Sequence, residues 1–247
     1  AASPERGGRP GGRRGRAEAR ESRRQSCETA GFVGGTWLSP TEGYVTLGAW
    51  AETVDGVSDY TGEHIYDRWI QSKQTDALTI RDYLWRWDTD WFWCSRAFGV
   101  QNPGIRRWIP RRYLRSDVYW KLVAFEKKHR WKTRWDRRRG GPEREDVVQD
   151  VEIPLERLEE FLGVFDREVA IQPVWLCPLR QRKDGWELYR LEPETLYVNL
   201  GFWSSVPLAP GQDEAHHNRL IERLVADLGG RKSLYSTSYY EQEHFWR

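Results

Sequence analysis

The chain has 247 residues, a net charge of +2, 15 Trp, 3 Cys and no Met. That length makes one or two domains with ample core, and the near-neutral balance argues against nucleic acid as a partner of the whole chain. No apolar run approaches the roughly 20 residues of a membrane span, and no secretory leader pattern is visible.

Cys27, Cys94 and Cys177 have no metal-like spacing and cannot all pair, so a reducing, cytoplasmic setting and no metal are expected. The Trp load suits aromatic-lined cavities or interfaces better than simple core filling. The chain begins with Ala and holds no Met, from which a fragment of a longer protein is expected.

Residues 1–30 are Arg- and Gly-rich, as in RGGRPGGRRGRAEAR, and lack apolar periodicity. A disordered tail is the expectation, and an RNA-binding Arg-Gly-Gly tail is the sharper alternative. Folded sequence is expected from Phe32. Tyr44–Trp50 reads as a strand after a turn at Pro40–Gly43. Gly62–Lys73 reads as a short helix or an extended arm. Within Thr79–Phe98, Tyr83, Trp85 and Trp87 alternate, which places them on one face of a strand. Asp82, Asp88 and Asp90 among these aromatics resemble the acid and base of a glycosidase, although carboxylates so close in one segment rarely build two opposed sides of a sugar site.

Gly99–Ser116 is broken by Pro and Gly. Its Arg106, Arg107, Arg111, Arg112 and Arg115 interleave with Trp108, Ile109, Tyr113 and Leu114. Two readings stand open: these Arg residues pair with Asp82, Asp88, Asp90 and Asp117, or Gly99–Trp135 rests on an anionic membrane surface. Val118–Arg137 has a helical stripe in Val118, Leu122 and Phe125.

Val147–Tyr240 organises the rest. Val147–Ile153 reads as a strand. Leu155, Leu158, Phe161, Leu162 and Phe165 then recur at helical spacing. Gln172–Leu179 and Thr195–Trp203 read as strands. His216-His217 reads as exposed surface at a helix start. Leu220, Ile221, Leu224, Val225 and Leu228 mark the second helix, stopped by Gly229-Gly230. Ser233–Tyr240 reads as the last strand, with Leu234 under the helices. The fold class is thus α+β, a ferredoxin-like β-α-β-β-α-β antiparallel sheet with both helices on one face. Strand parity puts Val174, Leu176, Leu196, Val198, Leu200 and Phe202 under the helices. It puts Trp175, Cys177, Tyr197, Asn199, Gly201, Trp203, Tyr235, Thr237 and Tyr239 on the other face. That face mixes aromatic and hydrogen-bonding groups, as organic-ligand pockets do; packing against a neighbouring domain is the plainer alternative.

VVQDVEIPLERLEEFL, IQPVWLCPLR and GRKSLYSTSYYEQEHFW resemble the C-terminal half of the Δ24-sterol reductase family. The likeness continues upstream through HIYDRWIQSK, IRDYLWRWDTDWFW and IRRWIPRRYL, from about Phe32 to Arg247. The bacterial-looking composition suggests an actinobacterial-type homologue. The resemblance implies a vanillyl-alcohol-oxidase-type architecture: an FAD-binding domain outside this chain, an aromatic-rich linking segment over 31–145, and a cap over 146–247. Gly34-Gly35 is too little to cradle a pyrophosphate.

The implied activity is FAD-dependent reduction of a C=C bond in a bulky apolar substrate, with NADPH as electron donor and the fragment alone inactive. The expected roles are proton donor for Tyr235 or Tyr239, flavin contact for Asn199 and Thr237, and substrate contact for Tyr83, Trp85, Trp87, Trp175, Cys177 and Tyr197. A related FAD-linked sugar or aldonolactone oxidase is the alternative enzyme, and a non-catalytic lipid- or RNA-binding module the alternative class. Peripheral membrane contact is expected if the substrate is lipid-like.

Overall fold

The computed structural model describes residues 2–6, 30–60, 65–88, 91, 99–129, 138–182 and 189–246. The chain divides into two compact units, Ala1–Phe32 with Thr46–Gly140 and Val33–Val45 with Gly141–Arg247. Cys27, Cys94, Asp90 and Trp93 lie outside the described residues.

The second unit is built on an antiparallel sheet. It holds β4 (Arg144–Pro154), β5 (Val174–Leu179), β6 (Tyr197–Pro207) and β7 (Arg231–Lys232), together with residues 33–39 of β2 (Phe32–Ser39) and 42–45 of β3 (Glu42–Gly48). Their order is β3-β2-β5-β6-β4-β7, and β2–β5, β5–β6, β4–β6 and β4–β7 all pair antiparallel. A strand β1 covers Ala2–Arg6, where the composition suggested only disorder; the rest of that tail lies outside the described residues.

A hairpin from Val33–Val45 therefore joins the sheet expected from 146–247 alone. Gly35 makes this fit: a Cβ there would meet the Leu176 Cβ at 2.9 Å, so the bare backbone lets β2 lie flush against β5.

The helix-facing side of the sheet holds the core. Helices Leu158–Glu168 and His216–Asp227 both pack on it. Phe161 and Phe165 of the first and Ile221 and Val225 of the second share one cluster with Val151, Leu200 and Phe202. Phe165 meets Phe202 at 4.6 Å between ring centroids. The three- and four-residue spacing of those apolar positions is why both segments are helical and one-sided.

The second helix stops at Gly229, which takes φ +70°. Gly230 N–H bonds the Val225 carbonyl at 2.8 Å and Gly229 N–H bonds the Ala226 carbonyl at 3.0 Å, a Schellman ending that a left-handed glycine allows. At its start this helix has no side-chain cap of its own. Glu145 of β4 supplies one: its carboxylate accepts from the His217 and Asn218 amides at 2.8 and 2.9 Å, where free helical N–H groups favour an anion. His217 is thereby buried, with Nδ1 at 2.8 Å from Glu145. The expectation of an exposed His pair is corrected by that cap.

The described residues of the first unit include four helices: Tyr66–Ser72, Ile80–Trp85, Pro103–Arg106 and Ser116–His129. Ile80–Trp85 overturns the strand expected there. Thr79 Oγ1 accepts from the Asp82 amide at 3.1 Å and Asp82 accepts from Thr79 Oγ1 at 2.5 Å, a reciprocal cap that commits the segment to a helix. Tyr83, Trp85 and Trp87 therefore do not share a strand face. Asp82 also accepts from the Tyr60 amide and Asp88 binds Ser116, so the two described Asp residues of the glycosidase alternative serve as separate structural anchors. Arg115 pairs with Asp117 at 2.9 Å.

Candidate functional site

Register places the groups on the face away from the helices. Asp150, Gly201 and Trp175 stand opposite one another across β4, β6 and β5; Glu152, Asn199 and Cys177 form the next row. A Cβ at Gly201 would lie 2.6 Å from Asp150 Oδ1 and 3.3 Å from both the Trp175 and Trp203 rings. One carboxylate and two indoles thus close over a single bare backbone position. Trp203 Nε1 donates to the Tyr235 hydroxyl at 3.2 Å, and the Asp150 carboxylate is close enough for the two groups to shift one another's protonation.

Glu152 is the buried end of this face, 5% exposed. It accepts from Asn199 Nδ2 at 2.7 Å and from the Tyr189 hydroxyl. Burial pushes its carboxyl up, against the lowering effect of those bonds. Burial, and then the Glu152 charge, also raise Asp150, which the Tyr235 hydroxyl partly offsets. Burial followed by the Glu152 bond raises Tyr189, and burial raises Tyr235, so both phenols keep their protons. Two acceptors, Asp150 Oδ1 and Asn199 Oδ1, are buried without a hydrogen-bond partner among the described residues. Buried orphans of this kind cost free energy unless something fills them.

A pH test follows from these carboxyls. Each binds its proton more tightly in the folded chain than in the unfolded one. Between the unfolded carboxylate range near about pH 4 and the raised folded value, the native state holds more protons, so this contribution makes stability fall as pH rises. Asp76 of the first unit runs the other way: burial raises its carboxyl, but bonds from Ser58, Tyr60 and Lys73 outweigh it and leave it lowered. The difference between variant and parent isolates the sheet carboxyl. The Tm of Asp150→Asn minus that of the parent is expected to grow as pH rises from about 3 to about 8. A difference that shrinks over that range contradicts the raised Asp150.

Of the residues expected at the site, Trp175, Cys177, Asn199 and Tyr235 come together here. Burial raises the Cys177 thiol, which keeps it unreactive. Tyr197 is buried, and its hydroxyl accepts from the Glu192 amide at 3.2 Å, pinning the loop before β6. Tyr239 and Thr237 are a correction. The ladder ends at Lys232, so Ser233–Tyr240 is not a strand and parity does not apply to it. Tyr239 turns back to the helix His216–Asp227, its amide bonding Glu222 at 3.0 Å. The Thr237 carbonyl accepts from Lys232 Nζ at 2.7 Å, and Leu234 is exposed rather than under the helices. Tyr83, Trp85 and Trp87 belong to the first unit, with Tyr83 against Phe32 and Trp87 edge-on to Tyr66.

Sequence reasoning missed Asp150, Glu152 and Tyr189. The first two had a signal. In VVQDVEI they alternate with Val151 and Ile153, which places both carboxylates opposite the helix-facing valine. Among the described residues no group of three or more His, Cys, Asp or Glu side chains gathers to hold a metal.

No protein-family profile matches the chain. The Δ24-sterol reductase homologue of Caenorhabditis elegans is 26% identical over 238 residues, 90% of this chain and 43% of that protein. The Δ24-sterol reductase of Rattus norvegicus is 29% identical over 105 residues, 42% of this chain and 20% of that protein. The Arabidopsis thaliana Δ24-sterol reductase is 23% identical over 87% of this chain and 42% of its own length. The chain thus spans less than half the length of the curated relatives it matches.

Proposed function

We propose, from this likeness to the Δ24-sterol reductases, that the chain is part of an FAD-dependent oxidoreductase that reduces a C=C bond of a bulky, sterol-like substrate. The observation that carries the reading onto particular residues is the aromatic, carboxylate-backed face around Gly201. We also propose that the sheet is a ferredoxin-like cap of the vanillyl-alcohol-oxidase type. The order β5-β6-β4-β7, with two helices on one side, supports this.

The residues present fit one edge of a flavin. Asp150 Oδ1 and Asn199 Oδ1 are acceptors with no donor among the described residues, and a flavin ring presents an N–H. Gly34 and Gly35 lie inside β2 rather than in a phosphate loop, so this unit would offer a ring edge and no pyrophosphate cradle. FAD, reduced by NADPH, would supply the hydride.

The chain's own part is the proton and the dry surroundings. Tyr235 holds a proton at its hydroxyl between Trp203 Nε1 and the Asp150 carboxylate, and it is the proposed donor to the substrate carbon. Trp175 and Trp203 exclude water. A second reading, an FAD-linked sugar or aldonolactone oxidase, draws support from the polar groups Asp150, Glu152 and Asn199. Supplying the intact enzyme with a Δ24-unsaturated sterol and NADPH, or with an aldonolactone, separates the two. Formation of the saturated sterol is the expected product, and turnover of the lactone alone rejects the sterol reading.

The lipid-like substrate implies a surface to meet it. Trp108, Trp120 and Phe125 are 76, 64 and 55% exposed, as are Arg107, Arg111 and Arg112, with Arg107 over the Trp108 ring. Aromatic rings favour the lipid boundary, and each basic residue near an anionic leaflet adds about 1 kcal/mol. No helix among the described residues is long and apolar enough to cross a membrane; contact here would be peripheral. Flotation with anionic vesicles at low salt is expected, lost at high salt. Equal flotation with neutral vesicles contradicts the role of the Arg residues.

A further inference from the structure

The segment Ser233–Tyr240 carries Tyr235, has no strand or helix of its own, and is nonetheless fixed at both ends. At its start the Ser233 amide donates to the Asp150 carbonyl at 2.9 Å. At its far end everything converges on Lys232 and Glu222. Lys232 Nζ donates to Glu222 Oε1 at 2.7 Å, to the Thr237 carbonyl at 2.7 Å and to Ser238 Oγ at 3.3 Å. Glu222 in turn accepts from the Tyr239 amide with both oxygens, at 3.0 and 3.1 Å. The Lys232 side chain is 0% exposed and that of Glu222 4%.

Such a pair is an expensive way to hold a sheet and a helix together. Desolvating two charges costs several kcal/mol, and apolar residues of like size often serve stability as well or better. What apolar residues cannot do is bond a loop carbonyl, a loop hydroxyl and a loop amide at once. Register explains how the two faces are joined. Lys232 stands opposite Val151, on the helix side of the sheet, while the loop it tethers carries Tyr235 across to Trp203 and Asp150 on the other side.

We propose that the buried Lys232–Glu222 pair is a positioning device for the reaction: it closes the 233–240 loop so that the Tyr235 hydroxyl is held on Trp203 Nε1 and near Asp150. The pair touches no substrate itself. This inference rests on the reading of Tyr235 as the proton donor, and its test separates the two.

The informative variant replaces both charges, Lys232→Met with Glu222→Leu, in the intact enzyme. Removing both partners leaves no buried charge, so the fold survives while the tether is gone. Thermal unfolding close to that of the parent is expected. Turnover is expected to fall by tenfold or more, up to about 10²-fold, as misplacement of an acid by about 1 Å can cause, with KM little changed. In a Tyr235→Phe background the same double change is expected to add almost nothing, because the group it positions is already gone. Losses that multiply in that background, or unchanged turnover in a folded variant, overturn the proposal. Amide exchange at Tyr239 gives a reading independent of activity. Fast exchange in the double variant, with turnover insensitive to Tyr235→Phe, keeps the tether and rejects Tyr235 as acid. Slow exchange in the double variant rejects the tether.

Discussion

On the proposal that Tyr235 is the proton donor, Tyr235→Phe in the intact protein is expected to lower turnover by about 10² or more, the ordinary worth of such a group. The change removes one oxygen and nothing else. The ring stays 57% exposed at the lip of the face, so the fold has little to lose. What it loses is the hydroxyl that accepts from Trp203 Nε1 at 3.2 Å and interacts with the Asp150 carboxylate. Burial comes first among the causes that keep this phenol protonated, with the Asp150 charge behind it. Trp203→Phe is expected to have a smaller effect of the same kind, since the hydroxyl then loses its donor but keeps its carboxylate. Turnover of Tyr235→Phe within a factor of about two of the parent, in a protein that melts normally, would remove Tyr235 from the chemistry and leave it as part of the wall.

Lys232→Met alone should behave quite differently. It strands Glu222 as a buried carboxylate whose only remaining donor from the loop is the Tyr239 amide, and it frees the Thr237 carbonyl. Breaking one side of a buried pair costs about 3–5 kcal/mol, a large part of a domain's total stability of roughly 5–15 kcal/mol. Urea unfolding of the parent and the variant measures it. A loss below about 1 kcal/mol would mean that water reaches Glu222 and that the pair is not dry. The contrast with the double apolar replacement is itself informative, because removing the second charge should recover most of the loss.

The helices and central strands were legible because their periods are strong. Leu155–Phe165 and Leu220–Leu228 have unbroken three- and four-residue spacing, and both became helices on one face. Tyr83–Trp87 misled because aromatic alternation imitates a strand, while the decisive signal sat upstream in Thr79 and Asp82, with Asp82 weighed only as a carboxylate for a sugar site or an Arg partner. Ser233–Tyr240 misled for another reason. Its composition suits a strand, but Lys232 and Glu222 are ten residues apart in sequence and on different elements, and nothing local announces that they fold the loop back. Asp150 and Glu152 could have been found by the same parity that found Trp175 and Asn199. Tyr189 could not, since it arrives from a loop with no period at all.

The seam between β2 and β5 has a consequence for anyone who would trim the protein. Gly35 and Leu176 are neighbours in the sheet yet lie far apart along the polypeptide, so that seam closes only after most of the chain has been made. A piece cut to begin at residue 146 would keep both helices and four strands. It would also present β5 as a bare border with unanswered backbone groups and Trp175 and Leu176 beside them. Open borders of that sort recruit further copies of themselves. The shortened sheet would then stack edge to edge into insoluble ribbons, and the small glycine-bearing hairpin would be recognised as what keeps it discrete.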